Sequence, residues 1–218
     1  MHTAEALQPI DWPRRALWLA RATIAWNLIE GVVAMGFGVA EESVALFGFG
    51  VDSWVEVGSA AVVYWKLTRT PGCETTQREQ ERAATRKISK LFLALAAGTA
   101  LGALIQLDAG GHPISTAPSV VVSLVSLSVM GSLWRAKRAA AAALDSRALA
   151  MDAACSLACI QLSAVLLAGS LAYAVAPALW WADAVAALGL AGLIAKEGVE
   201  GLRAAGEAEF EGGCGCGS

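Results

Sequence analysis

The sequence predicts an all-α, polytopic membrane protein with six transmembrane helices and both termini in the cytoplasm. Three observations predict it. Hydrophobic residues make up 56% of the chain and charged residues only 16%, against about 25% charged in ordinary soluble domains. Apolar stretches recur along the chain, and a helix of about 20 such residues crosses the ~30 Å hydrocarbon core of a bilayer. All 16 lysines and arginines can be placed on one side of a six-span model. Arg14, Arg15 and Arg21 open span one, and the rest lie between spans two and three, between four and five, and after six. The other three loops contain none, which is the positive-inside pattern.

On this reading residues 1–15 form a cytoplasmic segment, 16–200 the six-helix transmembrane domain, and 201–218 a short Gly/Cys tail. The opening residues lack the basic-then-apolar order of a signal peptide. Span one covers about 18–39 and holds Asn27 and Glu30 one turn apart, with Gly31, Gly36 and Gly38 permitting close helix approach. Glu41 and Glu42 make a very short acidic loop.

Span two, about 44–65, carries Asp52 and Glu56. Positions i and i+4 share one helix face. A charge at mid-membrane costs on the order of 2.5–3.5 kcal/mol, so such residues are expected to face an ion or proton pathway. The alternative is that they hydrogen-bond neighbouring helices. The stretch 74–90 is charged and reads as a helical lead-in with a solvated face and an interfacial anchor.

Span three covers about 88–107 and span four about 114–134. Ser119, Ser123, Ser126 and Ser128 of span four are expected to bond back to their own helix or across to another. Arg135, Lys137, Arg138 and Arg147 mark a second basic loop around the alanine run 139–143, which is helix-prone and is expected to extend span four or lead into span five. Span five, about 148–175, contains Asp152, Cys155 and Cys159. Span six, about 179–194, opens on Trp180–Trp181, a pair suited to a membrane interface, with Asp183 just inside. No strong internal repeat is visible, although spans two and five both carry polar residues at i, i+4.

Spans two and five run in opposite directions. At about 1.5 Å per residue, Asp52, Glu56, Cys155 and Cys159 all reach the middle third of the membrane. Two carboxylates and two thiols suit a tetrahedral divalent site, and thiolates favour softer ions such as zinc and cadmium. The cysteines taken alone pack equally well as small hydrophobes. Asp152 lies one turn before Cys155 and reads as a ligand, a supporting carboxylate or a cap. Of the five cysteines, Cys73, Cys214 and Cys216 fall in expected cytosolic segments, so no disulfide framework is expected. His2 and His112 lie outside the spans, and no nucleophile–base constellation marks an enzyme. No basic block suggests nucleic acid.

The chain resembles the membrane domain of the cation diffusion facilitator family. The carrying residues are Ser43-Val-Ala-Leu46 with Asp52-x-x-x-Glu56, Ser146-Arg-Ala-Leu149-Ala-Met-Asp152 with Cys155-x-x-x-Cys159, and Trp180-Trp-Ala-Asp183. The likeness covers about residues 15–200. It implies six helices, usually a homodimer, and export of a divalent metal, zinc foremost, in exchange for protons. The metal is substrate and no prosthetic group is implied. A bacterial inner membrane is the expected location. Asp52 and Glu56 match the family's span-two ligand pair, Cys155 and Cys159 stand where it commonly has His and Asp, and Asp152 matches a frequent acidic residue before them. The family's cytosolic C-terminal domain and histidine-rich loop have no counterpart in this sequence, and Cys214–Gly–Cys216 could collect a soft metal in their place. The competing expectation is a non-transporting membrane sensor or accessory protein of the same fold.

Overall fold

Two serines start the two helices at the centre of the molecule. The Ser43 hydroxyl accepts the Leu46 amide at 3.2 Å, and the Ser146 hydroxyl accepts the Leu149 amide at 3.2 Å. Each satisfies an amide that the first turn leaves without an intrahelical partner. The computed structural model describes residues 11–69, 74–110 and 116–206. Among these are six α-helices and no strand. They are α1 (Trp12–Ala40), α2 (Val44–Leu67), α3 (Glu74–Ala109), α4 (Ala117–Ala143), α5 (Arg147–Val175) and α6 (Ala182–Gly206), with a 3-10 turn at Pro177–Leu179.

Five of them, α1 to α5, are long and apolar enough to cross a membrane. The sixth, α6, is 25 residues long and carries Lys196, Glu197, Glu200 and Arg203 in its second half. Helices α1, α2, α5 and α4 close a ring, each touching the next, while α3 and α6 pack on one another and against α2 and α5. Thus α2 and α5 are the two helices with neighbours on most sides. Large apolar side chains such as Trp18, Ile29, Val32, Leu101, Val121 and Leu193 remain on the outside. A surface of that kind is made for hydrocarbon.

The structure shows a repeat that the sequence hides. Helices α1 and α4 end at Ala40 and Ala143. Glu42 (φ 53°) and Asp145 (φ 43°) then turn left-handed, and the capping serine follows. The amide of that serine returns to the carbonyl five residues earlier, Ser43 to Gly38 at 2.8 Å and Ser146 to Ala141 at 3.1 Å. Equivalent positions differ by 103 in number, as Ser146 differs from Ser43. Asp52 therefore corresponds to Cys155, Ser53 to Ser156, and Glu56 to Cys159. The expectation of no strong repeat is corrected here: the likeness is one of backbone plan, carried by few identical side chains.

The two hairpins are packed with different residues. A Cβ on Gly38 would stand 2.6 Å from the Phe47 nitrogen, and one on Gly50 would stand 2.8 Å from the Met35 nitrogen. Both distances are shorter than packed atoms allow, so α1 and α2 touch backbone to backbone only because these residues have no side chain. The corresponding positions in α4 and α5 are Ala141 and Ala153, both buried.

The charged segments are drawn into the bundle at two points that the sequence did not single out, Glu81 and Lys137. Glu74–Ala109 is one helix of 36 residues. Within its lead-in Glu81 is buried and takes an ion pair from Lys66, together with the Ser146 hydroxyl at 2.9 Å and the Ala148 amide. The lead-in keeps an exposed charged face at Arg78, Glu79, Arg86, Lys87 and Lys90, while Glu81 on its buried face ties α2, α3 and α5 together. The alanine run 139–143 extends span four as expected, helical as far as Ala143, and leaves only Leu144–Ser146 to turn the chain. Lys137, placed in the second basic loop by the sequence, is buried inside the ring.

Candidate cation site

The core divides into two apolar layers. One gathers Ala16, Ala20, Val63, Ile88, Phe92 and Leu149, and the other Ala34, Leu46, Phe49, Met130 and Leu166. Between them lies a polar layer contributed by α1, α2, α4 and α5. Buried here are Glu30, Asp52, Ser53, Glu56, Ser59, Lys137, Asp152, Cys155, Ser156 and Cys159.

Helices α2 and α5 meet antiparallel in this layer. Lys66 reaches Ser146 at 2.9 Å, Ser59 reaches Asp152 at 2.7 Å, and Ser156 hydrogen-bonds Glu56, so numbers fall along one helix as they rise along the other. One step further, the Cys159 thiol is the polar group beside Asp52. Glu56 is the carboxylate that bears most strongly on Cys155, and Asp52 the one that bears most strongly on Cys159. The predicted ligands thus face each other as two carboxylate–thiol pairs, Asp52 with Cys159 and Glu56 with Cys155. Each pair crosses the interface, as the repeat requires. Among the described residues, no three His, Cys, Asp or Glu side chains are drawn into one metal-holding cluster. Both cysteines are free thiols and both also pack in the apolar layers.

The pairs differ in what else holds them. Lys137 projects from α4 into the bundle, where its ammonium donates to Glu56 Oε1 at 3.2 Å and to the Ser156 hydroxyl at 2.8 Å. It also forms an ion pair with Asp152 Oδ2 at 2.9 Å. The other Asp152 oxygen accepts the Ser59 hydroxyl. Asp152 is therefore fully engaged, and Glu56 keeps one oxygen, Oε2, without a partner. Asp52, 1% exposed, has no hydrogen-bond partner for either carboxylate oxygen among the described residues. A carboxylate so placed loses its hydration with only the weak thiol donor of Cys159 beside it.

Asp52 also borders open space. A cavity of about 270 Å³ is lined by Phe47, Gly48 and Asp52 of α2, Thr99 and Gln106 of α3, and Leu166 of α5. The rest of its lining is apolar, and Phe47, Val51, Leu101 and Ile105 of that lining are themselves exposed. All its lining lies towards the Ser43 end of α2. The Ser146 end is closed by the Lys66–Glu81–Ser146 tie.

Glu30 of α1 completes the layer. Its Oε2 accepts the Ser53 hydroxyl at 3.2 Å, and its Oε1 is unpartnered. The serines of α4 behave as expected: Ser123 bonds back to the Ser119 carbonyl at 2.7 Å, and Ser163 of α5 reaches Ser126 at 3.1 Å. Sequence reasoning missed Lys137. The one signal for it was spacing: Lys137 lies a turn and a half inside the end of α4, on a helix otherwise continuous with span four. His2, Cys73, His112 and the Cys214–Gly–Cys216 tail lie outside the described residues, as does the side chain of Asp183.

Two comparisons bear on this geometry. A family model described as the cation efflux transmembrane domain matches residues 20–207, a span that takes in all six helices but for the first two turns of α1. Transmembrane protein 163 of Xenopus laevis is 30% identical over 69 residues, covering 32% of this chain and 25% of the relative. The matched part is thus a quarter of that relative's length.

Proposed function

The chain belongs to the cation efflux family, and from that premise we propose that it exports a divalent transition-metal ion, zinc or a softer ion such as cadmium, in exchange for protons. The observation that carries the proposal is Asp52: a buried carboxylate with both oxygens unpartnered, at the edge of a cavity, beside a thiol. Such a group is completed by a cation or a proton. Asp52 and Cys159 receive the ion, with Glu56, Cys155 and Asp152 next to them across the α2–α5 interface.

Exchange follows from the ligands. A metal binds thiolate and carboxylate only as their protons leave, so protons arriving from the far side displace the ion. A site on antiparallel helices of an inverted repeat can open to either side by rocking one half against the other. The cavity on the Ser43 side and the ion-paired tie on the Ser146 side support reading this conformation as open to the side that lacks lysine and arginine. By the charge rule that side is the exterior, and both termini are cytoplasmic.

The test is metal flux into proteoliposomes under an imposed pH gradient. Export by the wild type is expected to slow when the receiving side is made alkaline, and Asp52→Asn to abolish it. Flux indifferent to both overturns the exchanger. A second reading, a metal-binding sensor without flux, is favoured by one observation, the engagement of Glu56 and Asp152 by Lys137. Stoichiometric binding with no flux under any gradient identifies it.

A further inference from the structure

We propose that Lys137 is a resident cation of the transport site, which commits Glu56 and Asp152 to itself and leaves Asp52 with Cys159 as the half that takes the metal. The inference rests on the transport reading above and deepens it.

The first ground is direction. A lysine near a helix end in a membrane ordinarily extends its long stem to place the ammonium in the interfacial water. Lys137 lies six residues before the end of α4, yet its ammonium turns inward. Three groups receive it: Glu56 at 3.2 Å, Ser156 at 2.8 Å and Asp152 at 2.9 Å. The residue is only 3% exposed. These partners come from α2 and α5, so one side chain of α4 spans both helices of the site.

The second ground is the contrast within the layer. Asp152 has both oxygens occupied, by Ser59 and Lys137, whereas Asp52 has neither occupied. The repeat supplies the reference. The position in α1 equivalent to Lys137 is Ala34, buried with no charge to offer. The Asp52–Cys159 pair has no built-in cation on its side of the interface, and the Glu56–Cys155 pair has one.

The third ground is electrostatic. A divalent ion placed between Glu56 and Asp152 would sit against a fixed ammonium of like sign in a medium of low dielectric, where such repulsion is screened least. The ion is directed instead to the carboxylate without a partner. A site of one free carboxylate and one thiol, flanked by a fixed positive charge, selects ions that bind a thiol well.

The test is Zn2+ and Cd2+ titration of the purified full chain in lipid nanodiscs, with Asp52→Asn, Glu56→Gln, Lys137→Met, Lys137→Arg and Lys137→Met/Glu56→Gln. With Lys137 present, Asp52→Asn is expected to cost at least about tenfold more affinity than Glu56→Gln. Lys137→Met is expected to tighten binding by about tenfold, a gain that Lys137→Met/Glu56→Gln removes and Lys137→Arg does not show. Equal penalties for Asp52→Asn and Glu56→Gln in the presence of Lys137 overturn the inference. So does a folded Lys137→Met that binds no more tightly than the wild type. Should Lys137→Met fail to fold, the comparison of Asp52→Asn with Glu56→Gln decides alone. Metal binding indifferent to Asp52→Asn as well overturns the transport site itself, a result distinct from the first two.

Discussion

The hairpin of α1 and α2 and the hairpin of α4 and α5 share one backbone plan and use it to opposite electrical ends. In the first, an acid from the outer helix, Glu30, meets the central serine, Ser53. In the second, a base from the outer helix, Lys137, meets the equivalent serine, Ser156. The first hairpin is glycine-packed and leaves Asp52 unpartnered. The second is alanine-packed and supplies a counter-charge to the acids around it. Their caps differ in the same sense: Ser43 caps a helix, while Ser146 caps one and also binds Lys66 and Glu81. A duplicated frame thus gives one half that is satisfied and one that is poised. On the proposed transport function, that difference would give a single ion one preferred seat.

The comparison is broken most severely at Lys137. Removing one partner of a buried ion pair leaves the other uncompensated, which costs about 3–5 kcal/mol. Lys137→Met is expected to lower stability by that much, read as the thermal midpoint in detergent. Glu30→Gln, at the acid that meets Ser53 in the first hairpin, keeps an acceptor for that serine and is expected to stay within about 1 kcal/mol. Equal losses would mean that the halves are not electrically distinct.

The thiols come next. Cys159→Ser is expected to weaken Cd2+ binding by about tenfold, and Cys155→Ser by less than about threefold, because only the first faces the unpartnered carboxylate. A larger loss for Cys155→Ser would reverse the assignment of the two pairs.

The caps give a smaller contrast. Ser43→Ala is expected to cost about 1 kcal/mol, the usual value of an N-cap. Ser146→Ala is expected to cost about 2 kcal/mol, since it also unpairs Lys66 and Glu81 in a buried tie. Denaturant titration of the two variants side by side measures the difference.

The smallest effect concerns the turns. Glu42 and Asp145 hold a left-handed conformation that disfavours any side chain. Glu42→Gly and Asp145→Gly are each expected to gain about 0.5–1 kcal/mol, seen as a small rise in thermal midpoint. A gain at one position only would show that the two turns are not equivalent.

Much of the frame was legible in the chain. Runs such as 44–65 and 148–175 declared helices because nothing else satisfies the backbone in hydrocarbon. Asp52 and Glu56 declared themselves by cost, as carboxylates set in an apolar run. Counting rise per residue brought Cys155 and Cys159 to the same depth, and the structure pairs them with Glu56 and Asp52. The burial of Glu81 was not legible because a charged residue at a helix start looks the same whether it faces water or a neighbouring helix. The repeat escaped notice because its shared elements are a left-handed turn and a serine cap, and the few identities, such as Ser43, Ala45, Leu46 and Ser53 with Ser146, Ala148, Leu149 and Ser156, are common residues in any apolar helix.

By itself the sequence determined the helices, their number and which carboxylates sit at a cost inside apolar runs. These follow from local hydrophobicity and from the period of the helix, both properties of neighbours in the chain. Only the tertiary structure decided which of those carboxylates has a partner. The Lys137 stem is long and flexible enough to end in interfacial water or in the bundle, and the choice depends on acids 81 and 15 residues away in number, Glu56 and Asp152. No local pattern encodes that choice, because its energy resides in contacts between helices.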